Sequence, residues 1–222
     1  MKHVFLLLVL TTLNAASDRV VPREGTEWCN IWMPNANKHG LPRVLLIGDS
    51  VTQGYGPDVE KALAGKAYVA RLATSRCVGD PVLHAELSAV LGAESFDVIH
   101  FNNGLHGIGA VSEKEYAEFL PQMLAHIRQL APKAKLIWAN STPSHVNGKF
   151  EQLAPNNANV TERNRIATEL MKKEGIPVDD LYALTLPHPE WCSDGLHYKP
   201  EGKAAQGAQV AAEVAKLLPK AK

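Results

Sequence analysis

A serine near the start of the chain and an aspartate-histidine pair near its end have side chains that can perform acyl transfer. Ser50 follows the apolar run at residues 44–47 and Gly48. A serine hydroxyl is a poor nucleophile unless a base takes its proton and a third group orients that base. Asp194 and His197 are three positions apart, so both can face inward from one turn. Asp194 would then accept the hydrogen of His197 Nδ1 and leave Nε2 for Ser50.

The segment before Ser50 must place that serine. Residues 44–47 are too few for a helix and predict a strand that is buried on both faces, as in a parallel sheet. Gly48 permits a sharp turn, and Ser50 lies just past the carboxyl end of the strand, where open α/β sheets place their ligands. Taken alone, Ser50 also fits a helix cap, and Asp194 with His197 fits a solvated hydrogen-bonded pair.

Strand and helix patterns alternate from residue 43 onward. Strands are predicted at 44–47, 67–72, 96–101, Lys135–Ala139 and within 176–184, and helices at 57–64, Glu113–Leu130, 161–174 and 200–218. Pro57 suits the first position of its helix. The alternation predicts an α/β fold of three layers, with a five-stranded parallel sheet covered on both faces by helices.

Length and charge limit the domain count and the class of partner. A chain of 222 residues suits one domain, which we place at residues 43–222, after an irregular N-terminal arm at residues 18–42. We expect Trp28 and Trp32 of this arm to pack on the domain. The 23 basic and 23 acidic side chains give no net charge, so we expect no binding to nucleic acid.

Residues 1–17 have the pattern of a secretory signal peptide, with a polar start, an apolar core and small residues near Ala16, where we place the cleavage. The alternative is a membrane anchor, but the apolar run is shorter than the roughly 20 residues that a spanning helix needs. We therefore expect a secreted or periplasmic protein without stable membrane insertion. The sequence does not determine the oligomeric state.

Three cysteines, Cys29, Cys77 and Cys192, permit at most one internal disulfide in an oxidising compartment. The predicted site would bring the segments of Cys77 and Cys192 together, which favours that pair. Three free thiols are the alternative. No histidine or cysteine pair has the spacing of a zinc site, so we expect no metal.

Two short motifs carry a resemblance to a known family. The sequence GDS at residues 48–50, together with DGLH at residues 194–197, resembles the GDSL, or SGNH, hydrolase superfamily of esterases and lipases. The similarity extends from about residue 43 to 218, and FNNGLH at residues 101–106 resembles a subgroup with Phe-Asn-x-Gly-Leu-His. The resemblance implies a flavodoxin-like sheet, with Ser50 as nucleophile, His197 as base and Asp194 as its orienter.

The resemblance also implies an oxyanion hole with three hydrogen-bond donors. They are the Ser50 backbone N–H, a glycine N–H after the second strand, assigned to Gly79, and an asparagine side chain after the third strand, assigned to Asn102. The usual Gly-x-Asn-Asp motif is absent, and residues 104–107 occupy its place with histidine where asparagine is expected. Alternatives that stay open are Cys77 and Val78 for the second donor, and Asn103 and His106 for the third.

The expected function is that of a secreted serine esterase without a cofactor. Its substrates would be small acyl esters, with O-acetyl groups on carbohydrate as the preferred class. A lysophospholipase or thioesterase, and a catalytically silent carbohydrate-binding relative, are the alternatives. A flavodoxin-like mononucleotide binder ranks last, because the loop after the first strand lacks a glycine-rich phosphate pattern and Asp49 would repel phosphate.

Overall fold

The computed structural model describes residues 23–219, and the predicted signal peptide lies outside them. The strands are β1 Cys29–Trp32, β2 Arg43–Gly48, β3 Tyr68–Thr74, β4 Val98–Phe101, β5 Lys135–Ala139, β6 His145–Val146, β7 Lys149–Leu153 and β8 Val178–Asp179. The helices are α1 Ser50–Ala62, α2 Pro81–Ala93, α3 Glu113–Leu130, α4 Asn157–Lys173, α5 Leu181–Thr185 and α6 Pro200–Leu217, with a 3-10 turn at Pro189–Trp191.

One sheet organises the described residues, with strand order β1-β3-β2-β4-β5-β8. All its neighbouring strands are parallel except β1, which pairs with β3 in the antiparallel direction. Numbered along the chain, the parallel strands follow the order 2-1-3-4-5, which is flavodoxin-like. The predicted α/β sheet of five parallel strands is confirmed. The interpretation of residues 18–42 as irregular is corrected, because β1 adds a sixth strand at the sheet edge.

The two faces of the sheet are covered by different helices, because neighbouring residues of a strand point to opposite faces. Leu45 and Ile47 of β2 pack in a core with buried side chains of α2, α3 and α4. Val44 and Leu46 pack on the other face with side chains of α1 and α6. All four are at most 1% exposed, which explains why β2 is a continuous apolar run.

Helix α1 begins seven residues earlier than predicted, so Pro57 lies inside the helix and not at its first position. The helix starts at Ser50 because Asp49 caps it: the Val51 backbone N–H donates to Asp49 Oδ1 over 2.9 Å. Gly48 allows α1 to approach the end of β2 closely, since a Cβ there would lie 2.1 Å from Thr52 Oγ1.

Several elements of the structure were not predicted, and two of them, α2 and the β6-β7 hairpin, differ in the signal that their sequences carry. Helix α2 is capped by Asp80, and its buried Leu83, Leu87 and Val90 lie at helical spacing, so its signal is present in the sequence. The second structure is the small β6-β7 hairpin, whose strands are too short and polar to predict a hairpin from periodicity. Helix α3 and strand β5 have the predicted bounds.

All three cysteines are free thiols. Cys77 belongs to the core that α2 and α3 cover, whereas Cys192 belongs to the core on the α1 and α6 face. The preference for a disulfide between Cys77 and Cys192 is therefore wrong, because the sheet separates the two thiols. Among residues 23–219, no helix is both long and apolar enough to cross a bilayer.

Candidate active site

Ser50 lies at the carboxyl end of β2, beside the point where the strand order reverses between β2 and β4. Crevices at such points bind ligands in open α/β sheets. Asp49 supplies the side-chain cap of α1, so the Ser50 hydroxyl is not needed as a helix cap. The Ser50 backbone N–H, in the first turn of α1, makes no hydrogen bond to any described residue.

The three side chains predicted to act together form one hydrogen-bonded series. Ser50 Oγ and His197 Nε2 are 2.8 Å apart. His197 Nδ1 and Asp194 Oδ2 are also 2.8 Å apart. With the hydrogen of the ring on Nδ1, His197 donates to the carboxylate and presents the Nε2 lone pair to the Ser50 hydroxyl.

The loop between the 3-10 turn and α6 positions Asp194 and His197 through its own backbone. Asp194 Oδ1 accepts the backbone N–H groups of Leu196 and His197, each over 2.8 Å. The Ser193 N–H donates to the His197 carbonyl over 2.9 Å, which closes the loop. These contacts lock both side chains of the pair in one turn, and α6 follows directly from Pro200.

The β6-β7 hairpin contacts the loop that carries Asp194 and His197. The His145 N–H donates to the Gly195 carbonyl over 2.8 Å. A Cβ at Gly195 would lie 2.6 Å from the His145 carbonyl oxygen, so only glycine permits this approach without displacement. The sequence contains no signal for this contact, because 50 positions separate the two residues.

Asp194 is an ionised partner for His197. Burial raises the pKa of Asp194, whereas hydrogen bonds from the His197 and Leu196 backbones and from the His197 ring lower it. The lowering is larger, so the pKa of Asp194 lies below its ordinary value. The side chains of His197 and Asp194 are 41% and 45% exposed. Both side chains therefore lie at the surface of the protein.

The loop between β3 and α2 places one predicted oxyanion donor. Gly79 has φ +84°, and a Cβ there would lie 2.5 Å from Phe119 Cδ2, so both backbone conformation and space require glycine. The Val78 N–H donates to Asn103 Oδ1 over 2.9 Å and is not available to a substrate. The Gly79 N–H makes no hydrogen bond to a described residue, which favours Gly79 over Val78.

The two asparagines after β4 use their amide groups inside the protein. Asn102 Nδ2 donates to the Ala139 carbonyl over 2.7 Å and to Ser141 Oγ over 3.0 Å, so both of its hydrogens have acceptors. Asn103 Nδ2 donates to the Arg76 carbonyl over 2.7 Å. Asn103 thus joins the loop after β4 to the loop after β3, and Asn102 joins β4 to the end of β5.

Sequence reasoning missed Arg163, which holds the loop after β4. Its Nη1 donates to the carbonyls of Gly104 and His106 over 3.0 and 2.9 Å. Its Nη2 donates to the carbonyls of Gly107 and Val111 over 3.1 and 2.7 Å. A signal exists in the sequence, since Arg163 lies at helical spacing among the buried residues of α4, where an apolar side chain is expected.

Replacing Arg163 by alanine is expected to lower the free energy of unfolding by about 3–5 kcal/mol, because it leaves a cavity and four carbonyls without their donor. Urea unfolding followed by circular dichroism measures this change. The matched control is Arg165→Ala on the same helix, whose side chain is 53% exposed and pairs with Glu162 and Glu169. That control is expected to change stability by less than about 1 kcal/mol. Equal losses for both variants would contradict the role of Arg163.

No cluster of three or more histidine, cysteine, aspartate or glutamate side chains within residues 23–219 is arranged to hold a metal ion. The site thus consists of a hydrogen-bonded serine, histidine and aspartate at the switch point of a flavodoxin-like sheet, with backbone N–H groups beside the serine. This combination of fold and side chains is typical of serine hydrolases.

The family of the chain follows from its sequence. Residues 46–205, more than half of the chain, match the model of the GDSL-like lipase/acylhydrolase family. The chain belongs to this family and is an ester-hydrolysing enzyme, as the GDS and DGLH motifs predicted. Comparison with curated protein sequences gives no significant match.

Solved structures share the fold. The native aryl esterase of M. smegmatis superimposes with a TM-score of 0.66 at 16% identity, over 80% of this chain and 100% of that one. An acetylxylan esterase from Geobacillus stearothermophilus gives a TM-score of 0.64 at 17% identity, over 78% of this chain and 94% of that one. A GDSL-like lipase from Bacteroides thetaiotaomicron gives 0.63 at 17% identity, over 78% and 88%. At these identities the likeness establishes the fold alone.

Proposed function

We propose that the protein is a secreted serine esterase that removes small acyl groups, with O-acetyl groups on carbohydrate as its substrates, and that Ser50, His197 and Asp194 form its catalytic triad. The observation that carries this proposal is the continuous series from Ser50 Oγ through His197 to the Asp194 carboxylate, with both links at 2.8 Å. Each member has the partner that its role in acyl transfer requires.

In the acylation step, Ser50 Oγ attacks the ester carbonyl carbon while the hydroxyl proton passes to His197 Nε2. The carbonyl π electrons move to the oxygen, which becomes an oxyanion beside the Ser50 and Gly79 N–H groups. Collapse of this intermediate breaks the ester C–O bond, and the leaving alkoxide takes the proton from Nε2. The acyl group remains on Ser50.

Deacylation repeats the step with water as the nucleophile. Water gives a proton to His197 Nε2 as its oxygen attacks the acyl carbon, and collapse returns that proton to Ser50 Oγ with release of the acid. Asp194 stays ionised and stabilises the imidazolium that forms twice in each cycle. These residues suffice for hydrolysis without a cofactor.

The preference for a short acyl group is supported by the sequence, because residues 18–222 contain no long apolar lid segment of the kind that covers a long acyl chain. We therefore expect the site to turn over acetyl esters faster than esters of long acyl chains.

The preference for carbohydrate is supported by the surface position of the triad, which leaves room for a polymer on the leaving-group side. The acetylxylan esterases among the proteins that share the fold have such substrates by name. Secretion is proposed from residues 1–17 alone, which have the pattern of a signal peptide.

Purified protein is expected to hydrolyse p-nitrophenyl acetate, with kcat/KM at least about tenfold above that for the octanoate ester, because no apolar segment is available to cover the longer chain. Release of acetate from acetylated xylooligosaccharides measures the proposed natural activity. A lysophospholipid and an acyl thioester, tested beside them, represent the alternative substrates.

Each outcome separates one candidate function from another. Faster turnover of the lysophospholipid or the thioester would replace the carbohydrate assignment while keeping the triad. Absence of hydrolysis, together with no labelling of Ser50 by a fluorophosphonate, would exclude the esterase. Binding of acetylated xylan without turnover would then indicate the silent carbohydrate-binding relative.

A further inference from the structure

The asparagines after β4 leave few side-chain donors for an oxyanion. Ser50 and Gly79 offer backbone N–H groups, but the Asn102 amide donates both hydrogens to the Ala139 carbonyl and Ser141 Oγ. Asn103 is held by the loop after β3, because its Nδ2 donates one hydrogen to the Arg76 carbonyl and its Oδ1 accepts the Val78 N–H. The second amide hydrogen of Asn103 and the ring of His106 are therefore the side-chain donors that remain in the loop that follows β4.

His106 lies in that loop and retains an unused ring nitrogen. Its Nδ1 is 2.6 Å from Glu24 Oε1, and its Nε2 makes no hydrogen bond to a described residue. The loop lies at the carboxyl edge of the sheet beside the Gly79 loop, since a Cβ at Gly107 would be 2.7 Å from Cys77 Cβ. Ser50 follows β2, the strand between β3 and β4.

The partner of His106 comes from the N-terminal arm, which is fixed at several points. Arg23 forms an ion pair with Asp80, and Ser75 Oγ donates to Glu27 Oε2 over 2.6 Å. The edge of the Trp28 ring also packs on His106, with ring centroids 6.1 Å apart. Glu24 is thus held against the two loops that would flank the substrate carbonyl.

We propose that His106 is the third oxyanion donor, through Nε2–H, and that Glu24 positions its ring. Because Nδ1 already donates to the Glu24 carboxylate, donation from Nε2 requires an imidazolium, and the oxyanion then meets a charged donor. Charge-assisted hydrogen bonds of this kind are roughly twice as strong as neutral ones. The inference rests on the proposed esterase function and makes the arm part of the active site.

Arg163 fixes the backbone of the proposed donor. Its guanidinium binds the backbone carbonyl of His106 itself over 2.9 Å, along with three other carbonyls of the same loop. The backbone of His106 is therefore fixed from α4, and its ring is fixed from the arm. Donors held in this way pay no reorganisation cost when the charge develops on the substrate.

The test compares steady-state hydrolysis of p-nitrophenyl acetate by the full chain and its variants. His106→Ala is expected to lower kcat about 10²- to 10³-fold with little change in KM, as for loss of one oxyanion donor. His106→Asn restores an N–H donor and is expected to recover at least about tenfold of that loss. Glu24→Gln keeps a hydrogen-bond acceptor but removes the charge, with an expected loss in kcat of about tenfold.

Two controls separate this role from a structural one. Glu174→Gln removes the charge of a carboxylate that pairs with Arg128 at the amino edge of the sheet, away from the arm and His106, and kcat should stay within about threefold of wild type. Thermal unfolding checks that all variants remain folded. A His106→Ala variant within about threefold of the wild-type kcat would overturn the inference. A loss in kcat for Asn102→Ala or Asn103→Ala that is larger than the loss for His106→Ala would also overturn it.

The same experiment distinguishes failure of the inference from failure of the proposed function. An active wild type with unaffected His106 variants contradicts only the third donor. A wild type that neither turns over the ester nor reacts with a fluorophosphonate contradicts the esterase, and the donor assignment with it. A His106→Ala loss without recovery in His106→Asn indicates that the ring packs the loop and does not donate to the substrate.

Discussion

Ser50→Ala is expected to reduce kcat for p-nitrophenyl acetate by about 10⁴- to 10⁶-fold, since loss of the nucleophile removes the acyl-enzyme route. The change should leave the fold intact, because Asp49 caps α1 and, among residues 23–219, the Ser50 hydroxyl hydrogen-bonds to His197 alone. Residual activity would come from the remaining N–H donors and from substrate binding. Stopped-flow or long-time absorbance assays cover the full range of rates.

The control for this variant is Ser95→Ala, which removes an exposed hydroxyl at a residue that precedes the amino end of β4, far from the site. Its kcat should equal that of wild type. Mass spectrometry after fluorophosphonate treatment should find the label on Ser50 in the wild type and no label in Ser50→Ala. A Ser50→Ala variant with wild-type turnover would show that another residue is the nucleophile.

Asp194→Asn is expected to lower kcat by about 10³- to 10⁴-fold. Asparagine keeps Oδ1 as acceptor for the Leu196 and His197 N–H groups, so the loop should retain its shape. Its amide group, however, would donate to His197 Nδ1 and force the ring hydrogen onto Nε2. The ring can then no longer accept the proton of Ser50.

The free energy of unfolding at acid pH provides a second measurement for Asp194. The folded pKa of Asp194 is lowered, so its carboxylate stabilises the protein above the unfolded pKa, and this contribution is lost as pH falls through the folded pKa. The difference in stability between wild type and Asp194→Asn should shrink over that window.

The control for the kinetic effect is Asp97→Asn, which replaces a carboxylate that accepts the Arg43 N–H at the opposite end of the sheet. This variant should leave kcat unchanged. An Asp194→Asn variant within about tenfold of the wild-type kcat would exclude Asp194 as the orienter.

Elements with strong local patterns could be predicted from the sequence. Helix α3 and strand β5 have the predicted bounds because their own apolar residues mark the whole length of each element, without help from the rest of the chain. The start of α1 was misplaced because Pro57 looked like a first-turn residue, whereas the Asp49 cap sets the start. Strand β1 could not be predicted, since it forms only by pairing with β3, as Ile31 does with Leu72.

The sequence by itself determined the family, the sheet class and the three residues of the proposed triad. Motifs such as GDS and DGLH are local, and an aspartate three positions before a histidine can orient it within one turn. Only the tertiary structure decided which of the candidate oxyanion donors already have partners within the protein. The amides of Asn102 and Asn103 have partners on other elements, and Glu24 meets His106 from 82 positions away. Such pairings depend on how the strands are ordered in space, which no local pattern encodes.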